Sequence, residues 1–411
     1  MKKIQATLLS MLLITLALAS CNLDGTTGIF REIAQSKEPL SIRYRQLLGQ
    51  KGSELYFRTL KGVERVDALK NNTPVATSAD GKLIQAAALS GSDNKVFYIT
   101  NDVAELNAGL VHVVDTLTLT ATTIAVTTAE APSITSELSI KGLYANSMVL
   151  VSGKDGAGKK VLDLLEYDSV ADTFTTPLAS FPFPEVPADY DLESVIQQTG
   201  HEQDGLGKHR SSLVSFVKPN GTNPPLFKHY VAYTTDGDAS SKKHIGSNSI
   251  KVANYLYNPT INDHIYILST NGKLYYAGTF SLPEPSWIEL SDTGRAFEAG
   301  AFAYTVVDVT ENHLITKPYL KTSPLIVFTF PQAYTTGIVV QKTTVQAGYA
   351  KELSLASIVS AQEKPSPPAG TTTLLVATDE NGMYDISINN AKANVDTAAN
   401  GTSSAAEGYT F

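Results

Sequence analysis

The chain has 411 residues, of which 43% are hydrophobic and only 18% charged, a composition that can bury a substantial core and excludes an intrinsically disordered protein. Its 40 acidic residues outnumber 32 basic ones, for a formal charge of −8. Such an acidic balance excludes docking on nucleic-acid phosphates or on anionic lipid through clustered basic side chains.

The N-terminus carries Lys2 and Lys3 followed by an apolar run from Leu8 to Leu18, the charged and greasy parts of a secretory leader. The run is shorter than the about 20 apolar residues that a permanent spanning helix needs. Leu18-Ala19-Ser20-Cys21 then resembles the lipobox of bacterial lipoproteins. That resemblance implies that residues 1–20 are a signal peptide, that cleavage falls between Ser20 and Cys21, and that the Cys21 thiol takes up diacylglycerol, with acyl chains such as palmitate. Cys21 is the only cysteine, so no disulfide can form within the chain. The expected partner of Cys21 is thus a lipid bilayer and the expected place is the cell envelope, with Asn22 favouring the outer membrane by the sorting rule of some double-membraned bacteria.

Residues 21–50 begin polar and without sustained periodicity, as expected of a lipidated N-terminus and tether. The alternative is a first strand or short helix packed on the body, and Ile42 to Leu48 could be either.

From residue 51 to 390 the chain changes character. Short runs rich in Val, Ile, Tyr, Phe and Thr are separated by Gly, Asn, Asp and Pro, the signature of strands and turns. The clearest runs begin at Leu55, Val96, Met148, Leu213, Ile265, Leu325 and Leu374, on average about 53 residues apart, close to what a four-stranded repeat occupies. Ile265–Tyr275 and Leu374–Tyr384 are alike: each is an apolar strand, an Asn-Gly turn and a second strand opening on an apolar residue and Tyr. Weaker versions lie at Lys61-Gly62 and Asn101-Asp102.

In this pattern residues 51–390 resemble the β-propellers of the WD40, kelch and NHL families, which implies an all-β ring of about seven four-stranded blades. A β-sandwich pair and a β-solenoid are the alternatives. No Trp-Asp signature recurs, Trp287 being the single tryptophan, and kelch-type Gly-Gly pairs are absent. The stretch Phe181–Gly207 reads as a long rim loop suited to binding. Residues 391–411, rich in Ala, Asn, Thr and Ser, read as a flexible tail whose last residues could add a closing strand.

Signs of chemistry are sparse. Gly153–Lys160 (GKDGAGKK) nearly matches the phosphate-cradling GxxxxGK[ST] loop, but Lys160 stands where the magnesium-binding hydroxyl belongs and the segment joins two strands, so a hairpin turn is expected. His201, Glu202, Asp204, His209, His229 and His244 are candidate metal ligands without the HExxH spacing, and are expected to be solvated loop residues. Asp236-Gly237-Asp238 and Asp379–Gly382 lack the remainder of a calcium loop and read as turns. There is no GxSxG elbow, and the one thiol is committed to lipid. The nineteen tyrosines read mainly as packing residues.

The expectation is therefore a membrane-anchored lipoprotein without catalytic, cofactor or metal residues, acting as a binding or scaffold module for another protein. The alternatives are a metal-dependent hydrolase or small-ligand receptor using the central channel of the ring, and an outer-membrane assembly factor, although the Gly-x-Leu-x-Ala-Leu-Asp type of motif expected of the latter is absent.

Overall fold

The computed structural model describes residues 44–409 with interruptions, at positions 70, 79–80, 92, 145–147, 198–209, 220–222, 235–239, 258–264, 272, 278–286, 290–303, 310–312, 319–325, 330–340, 345–357, 365–370, 379–382, 390–400 and 403–405. The described residues form seven sheets. The first comprises β1 (Tyr44–Lys51), β2 (Glu54–Thr59), β3 (Gly62–Val66) and β4 (Asn72–Thr77), and the second β5 (Ile84–Leu89), β6 (Lys95–Thr100), β7 (Leu110–Asp115) and β8 (Ala121–Ala125). A short helix, α1 (Val103–Asn107), joins β6 to β7. Next come β9 (Ser136–Tyr144), β10 (Met148–Lys154), β11 (Lys160–Asp168) and β12 (Thr173–Phe183), followed by β13 (Asp191–Gln197), β14 (Arg210–Val217), β15 (Phe227–Thr234) and β16 (Ser240–Asn248). The fifth sheet has β17 (Val252–Tyr257), β18 (Ile265–Ser269), β19 (Leu274–Ala277) and β20 (Trp287–Glu289). The sixth has β21 (Tyr304–Val309), β22 (His313–Pro318), β23 (Ile326–Thr329) and β24 (Gln341–Thr344), joined at its edge by β28 (Gly401–Thr402). In the seventh, β25 (Ile358–Glu363), β26 (Thr371–Thr378) and β27 (Met383–Asn389) pair in order and β29 (Ala406–Tyr409) closes the edge.

The first strands of the sheets are neighbours in succession: β1 lies beside β5, β5 beside β9, β9 beside β13, β13 beside β17, β17 beside β21, β21 beside β25, and β25 beside β1. This closes a ring with the first strands innermost. The fold is a seven-bladed β-propeller.

The second strand of a blade is buried on both sides, because consecutive residues of a strand point to opposite faces and each face meets another blade. In β2, Leu55 and Phe57 pack with Leu375 and Ala377 of the seventh blade, while Tyr56 packs with Ala87, Val96 and Tyr98 of the second. In β6, Val96 and Tyr98 share that cluster, whereas Phe97 and Ile99 join Val149, Val151 and Leu165 of the third blade. Strands buried on both faces read as unbroken apolar runs, and this is why they stand out in the sequence. Six of the seven runs that mark the repeat are second strands; the exception, Leu325–Phe328, corresponds to the third strand β23, since the second strand of its blade, β22, is the less apolar HLITKP.

Each innermost strand carries a register shift against its second strand, as at Ile84/Ala86 opposite Thr100/Ile99 and at Ile358/Ser360 opposite Thr378/Ala377. Such bulges sharpen the local twist where seven strands crowd round one axis.

Alternating strand direction places the turns between second and third strands, and the connections between blades, on one rim, called here the upper. On the lower rim three consecutive blades repeat one turn. Asp115 and Asp168 each end a third strand and Asp67 directly follows one, and each side chain accepts the amide of the residue two positions on, at 2.8 Å for Asp67 and Leu69, 2.9 Å for Asp115 and Leu117 and 2.8 Å for Asp168 and Val170. This is the turn chemistry expected of aspartate, and it leaves those three aliphatic side chains exposed.

Two expectations are corrected and one is met. The tether does not run to residue 50: Tyr44–Lys51 is β1, drawn in because Tyr44 packs edge-on to Phe57 at 5.4 Å. Phe181–Gly207 is not one rim loop: Asp191–Gln197 is the innermost strand of the fourth blade, its polar residues placed there because an innermost strand is only half covered. The last residues of the tail do add a closing strand, β29, with Tyr409 paired to Met383 and Ala406 to Ile386.

Candidate functional site

A cleft of about 290 Å³ opens on the upper rim between the third and fourth blades. Phe183 from the end of β12 and Phe216 from β14 form its buried floor, their rings edge-to-face at 5.1 Å. Above them β9, β10 and β11 contribute Lys141, Lys154 and Lys160, and Glu137 and Asp191 complete the charged lining.

The three lysines differ in their partners. Lys154 pairs with Glu137 at 2.5 Å. Glu137 holds φ at 57°, a left-handed conformation that costs a non-glycine residue about 1–2 kcal/mol and that strand geometry alone would not select. Lys160 donates to the Tyr190 carbonyl; burial pushes its pKa down, and nearby Asp191 opposes this. Lys141 occupies the bulge of β9: Leu150 pairs with Gly142 and Val151 with Ile140, so the residue between them is unpaired and its side chain is re-aimed. Its ammonium hydrogen-bonds the Ser139 hydroxyl at 3.2 Å and, among the described residues, meets no carboxylate. Burial holds its pKa below the usual lysine range. A half-buried cation without a countercharge is an electrostatic cost that an arriving anion would relieve.

The GKDGAGKK segment is the β10–β11 hairpin, with Lys154 paired to Lys160. Its amides are consumed within the turn. Asp155 N–H donates to the Lys159 carbonyl at 2.9 Å, and the Asp155 carboxylate accepts from the amides of Ala157 and Lys159 at 2.9 and 2.8 Å. Gly153 serves packing: a Cβ there would lie 2.2 Å from Ile134 Cγ2 and 2.8 Å from the Ser136 carbonyl oxygen. The hairpin reading holds, and it delivers two lysines to the cleft.

The other sequence candidates separate. His229 is not a solvated loop residue but lies fully buried on β15, with Nδ1 accepting from the Ser215 hydroxyl at 2.9 Å, Nε2 donating to Asn248 Oδ1 at 3.3 Å, and the Trp287 ring 4.8 Å away. Burial pushes its pKa down to about 4. His244, on β16, packs against Tyr230 at 5.0 Å. Asn101-Asp102 opens a helix rather than a hairpin, because the Asp102 side chain accepts from Ala104 N and caps α1. Ser20, Cys21, His201, Glu202, Asp204, His209, Asp236–Asp238 and Asp379–Gly382 lie outside the described residues. Among the described residues no three His, Cys, Asp or Glu side chains are grouped to hold a metal ion.

Lys141, Glu137 and Asp191 were not singled out by sequence. The one available signal was Lys141 itself, a lone charge inside the otherwise uncharged run Leu138–Tyr144.

No protein-family model matches the chain, and no curated protein does. Among solved structures the chain is similar to the Cps50 (Swd1) β-propeller domain of Myceliophteria thermophila, at 7% identity and a TM-score of 0.43, covering 82% of this chain and 95% of that one. It is similar to virginiamycin B lyase from Staphylococcus aureus at 8% identity and 0.42, covering 83% and 93%. It is also similar to PorZ, a surface component of the type-IX secretion system of Porphyromonas gingivalis, at 10% identity and 0.39, covering 85% of this chain and 37% of that one.

Proposed function

We propose that the chain is a lipid-anchored protein of the bacterial cell envelope whose propeller binds another macromolecule without catalysing a reaction. The observation that carries this reading is the position of the sole cysteine, Cys21, directly after a basic and apolar leader and Leu18-Ala19-Ser20. Two or three acyl chains on that residue hold a protein firmly to a bilayer, each buried methylene adding about 0.8 kcal/mol. The chain between Cys21 and Tyr44 could span up to roughly 75 Å if fully extended, enough for a ring to engage a partner away from the lipid surface.

A closed ring of seven small sheets supports binding rather than conformational work, because rigid scaffolds presenting loops lose little entropy on association. The upper-rim cleft is where such a partner would find unmatched charge. Lipidated full-length protein, crosslinked in intact envelopes and recovered through a C-terminal tag, is expected to bring down one reproducible partner that Cys21→Ser, released from the membrane, does not. Recovery of no partner in repeated trials contradicts the binding reading.

A further inference from the structure

The upper-rim cleft carries three ammonium groups against two carboxylates, one positive charge in excess, and the partners of the lysines locate that excess at Lys141. We infer that this cleft binds a hydroxylated monocarboxylate of ring size, the chemistry of a sugar acid, with its carboxylate against Lys141. The inference deepens the reading of the ring as a binding module and does not depend on the lipid anchor.

Charge selects a single carboxylate over a phosphate dianion. A second negative charge would face Glu137 and Asp191, while one charge exactly neutralises the excess, and a carboxylate accepting from a poorly solvated ammonium forms a charge-assisted hydrogen bond. The rest of the lining selects hydroxyl groups. Glu137 and Asp191 can accept from them, and Ser139, Ser152 and Asn107 can both donate and accept. A volume of about 290 Å³ lies at the small end of ligand sites, enough for one ring. Glu137 is held in its strained backbone conformation at the edge of this same cleft, as is common where side-chain placement serves binding. The sugar acid could arrive free or as the terminal residue of a glycan.

The test uses the full chain in detergent and titrates D-glucuronate, D-glucose and a hyaluronan tetrasaccharide, followed by saturation-transfer NMR and calorimetry. Wild-type protein is expected to bind glucuronate saturably in the millimolar range or tighter, with glucose at least roughly tenfold weaker, since glucose lacks the carboxylate. The variant Lys141→Met, which keeps most of the aliphatic stem, is expected to lose roughly tenfold or more in affinity for glucuronate while unfolding at the wild-type temperature or above. Tighter binding of the tetrasaccharide assigns the site to a glycan end, and tighter binding of glucuronate assigns it to the free acid. Equal binding of glucose and glucuronate, unchanged affinity in a folded Lys141→Met, or no saturation by either acidic probe up to about 10 mM overturns the proposal. Any of these results leaves the envelope crosslinking experiment unaffected, so the two readings fail separately.

Discussion

Ser360, on the innermost strand of the seventh blade, donates its hydroxyl to the Arg45 carbonyl on the innermost strand of the first at 2.6 Å, across 315 residues of sequence. Leu47 N–H likewise donates to Gln362 Oε1. These bonds fasten the ring. Many rings could be closed by a blade that borrows a strand from the other terminus, but here all four strands of the first blade are consecutive in the chain, so packing between whole blades must do it.

The closure core of Tyr44, Leu55, Phe57, Val66, Leu375 and Ala377 should therefore govern stability. Phe57→Ala removes a fully buried ring that meets Tyr44 edge-on. We expect a loss of about 3–5 kcal/mol in urea unfolding, typical of a large-to-small change in a packed core. A loss below about 1 kcal/mol would show that the first and seventh blades are not packed as described.

Gly153 should behave as a packing glycine and not as part of a phosphate cradle. Gly153→Ala is expected to destabilise by about 1–3 kcal/mol, since the new methyl group meets Ile134 and the Ser136 backbone. Adding millimolar ATP with magnesium should leave the unfolding midpoint of the wild-type chain unchanged; an upward shift abolished by the substitution would revive the nucleotide-loop reading.

The stability profile against pH should contain two opposing slopes. Glu64 is buried on β3, and among the described residues its Oε2 has no hydrogen-bond partner; burial pushes its carboxyl up to about 7. The folded chain thus keeps a proton that the unfolded chain releases, and stability falls as pH rises from about 4.5 to about 7. For His229 burial lowers the pKa from 6.5 to about 4, so the unfolded chain takes up a proton that the folded chain refuses, and stability is lost as pH falls through that window. Glu64→Gln should leave the His229 slope alone, with urea midpoints rising from pH 4 to pH 6.5 more steeply than in the wild type. Identical profiles would contradict the burial of Glu64.

On the lower rim, the carboxylates rather than the exposed aliphatic residues should matter for folding. Asp115→Ala is expected to lower the melting temperature because the amides of Leu117 and Thr118 lose their acceptor. Asp115→Asn, which keeps an acceptor oxygen, should recover most of it, and Leu117→Ser should leave it unchanged. Equal melting temperatures for Asp115→Ala and wild type would remove the capping role.

The strands that seed the repeat were legible because both their faces are buried, so Val149 and Val151 supply one interface and Met148 and Leu150 the next without a polar residue between. The innermost strands were not. Asp191–Gln197 (DLESVIQ) lines the axis with half-covered side chains and reads as a loop by composition, and the bulge between Leu192 and Ser194 blurs any alternation. The cleft was illegible for a different reason. Lys141, Lys160 and Asp191 come from three strands of two blades, and only the closure of consecutive blades brings their charges together.

Membrane anchoring rests on Cys21, and an intact-mass measurement of protein purified from its native envelope, combined with detergent phase partition, tests it directly. The prediction is a mature chain beginning at Cys21, heavier than its polypeptide by a diacylglycerol and a further acyl group, and recovered in the detergent-rich phase. A chain that retains Met1, or one that begins near residue 21 without added lipid mass and stays in the aqueous phase, would contradict it.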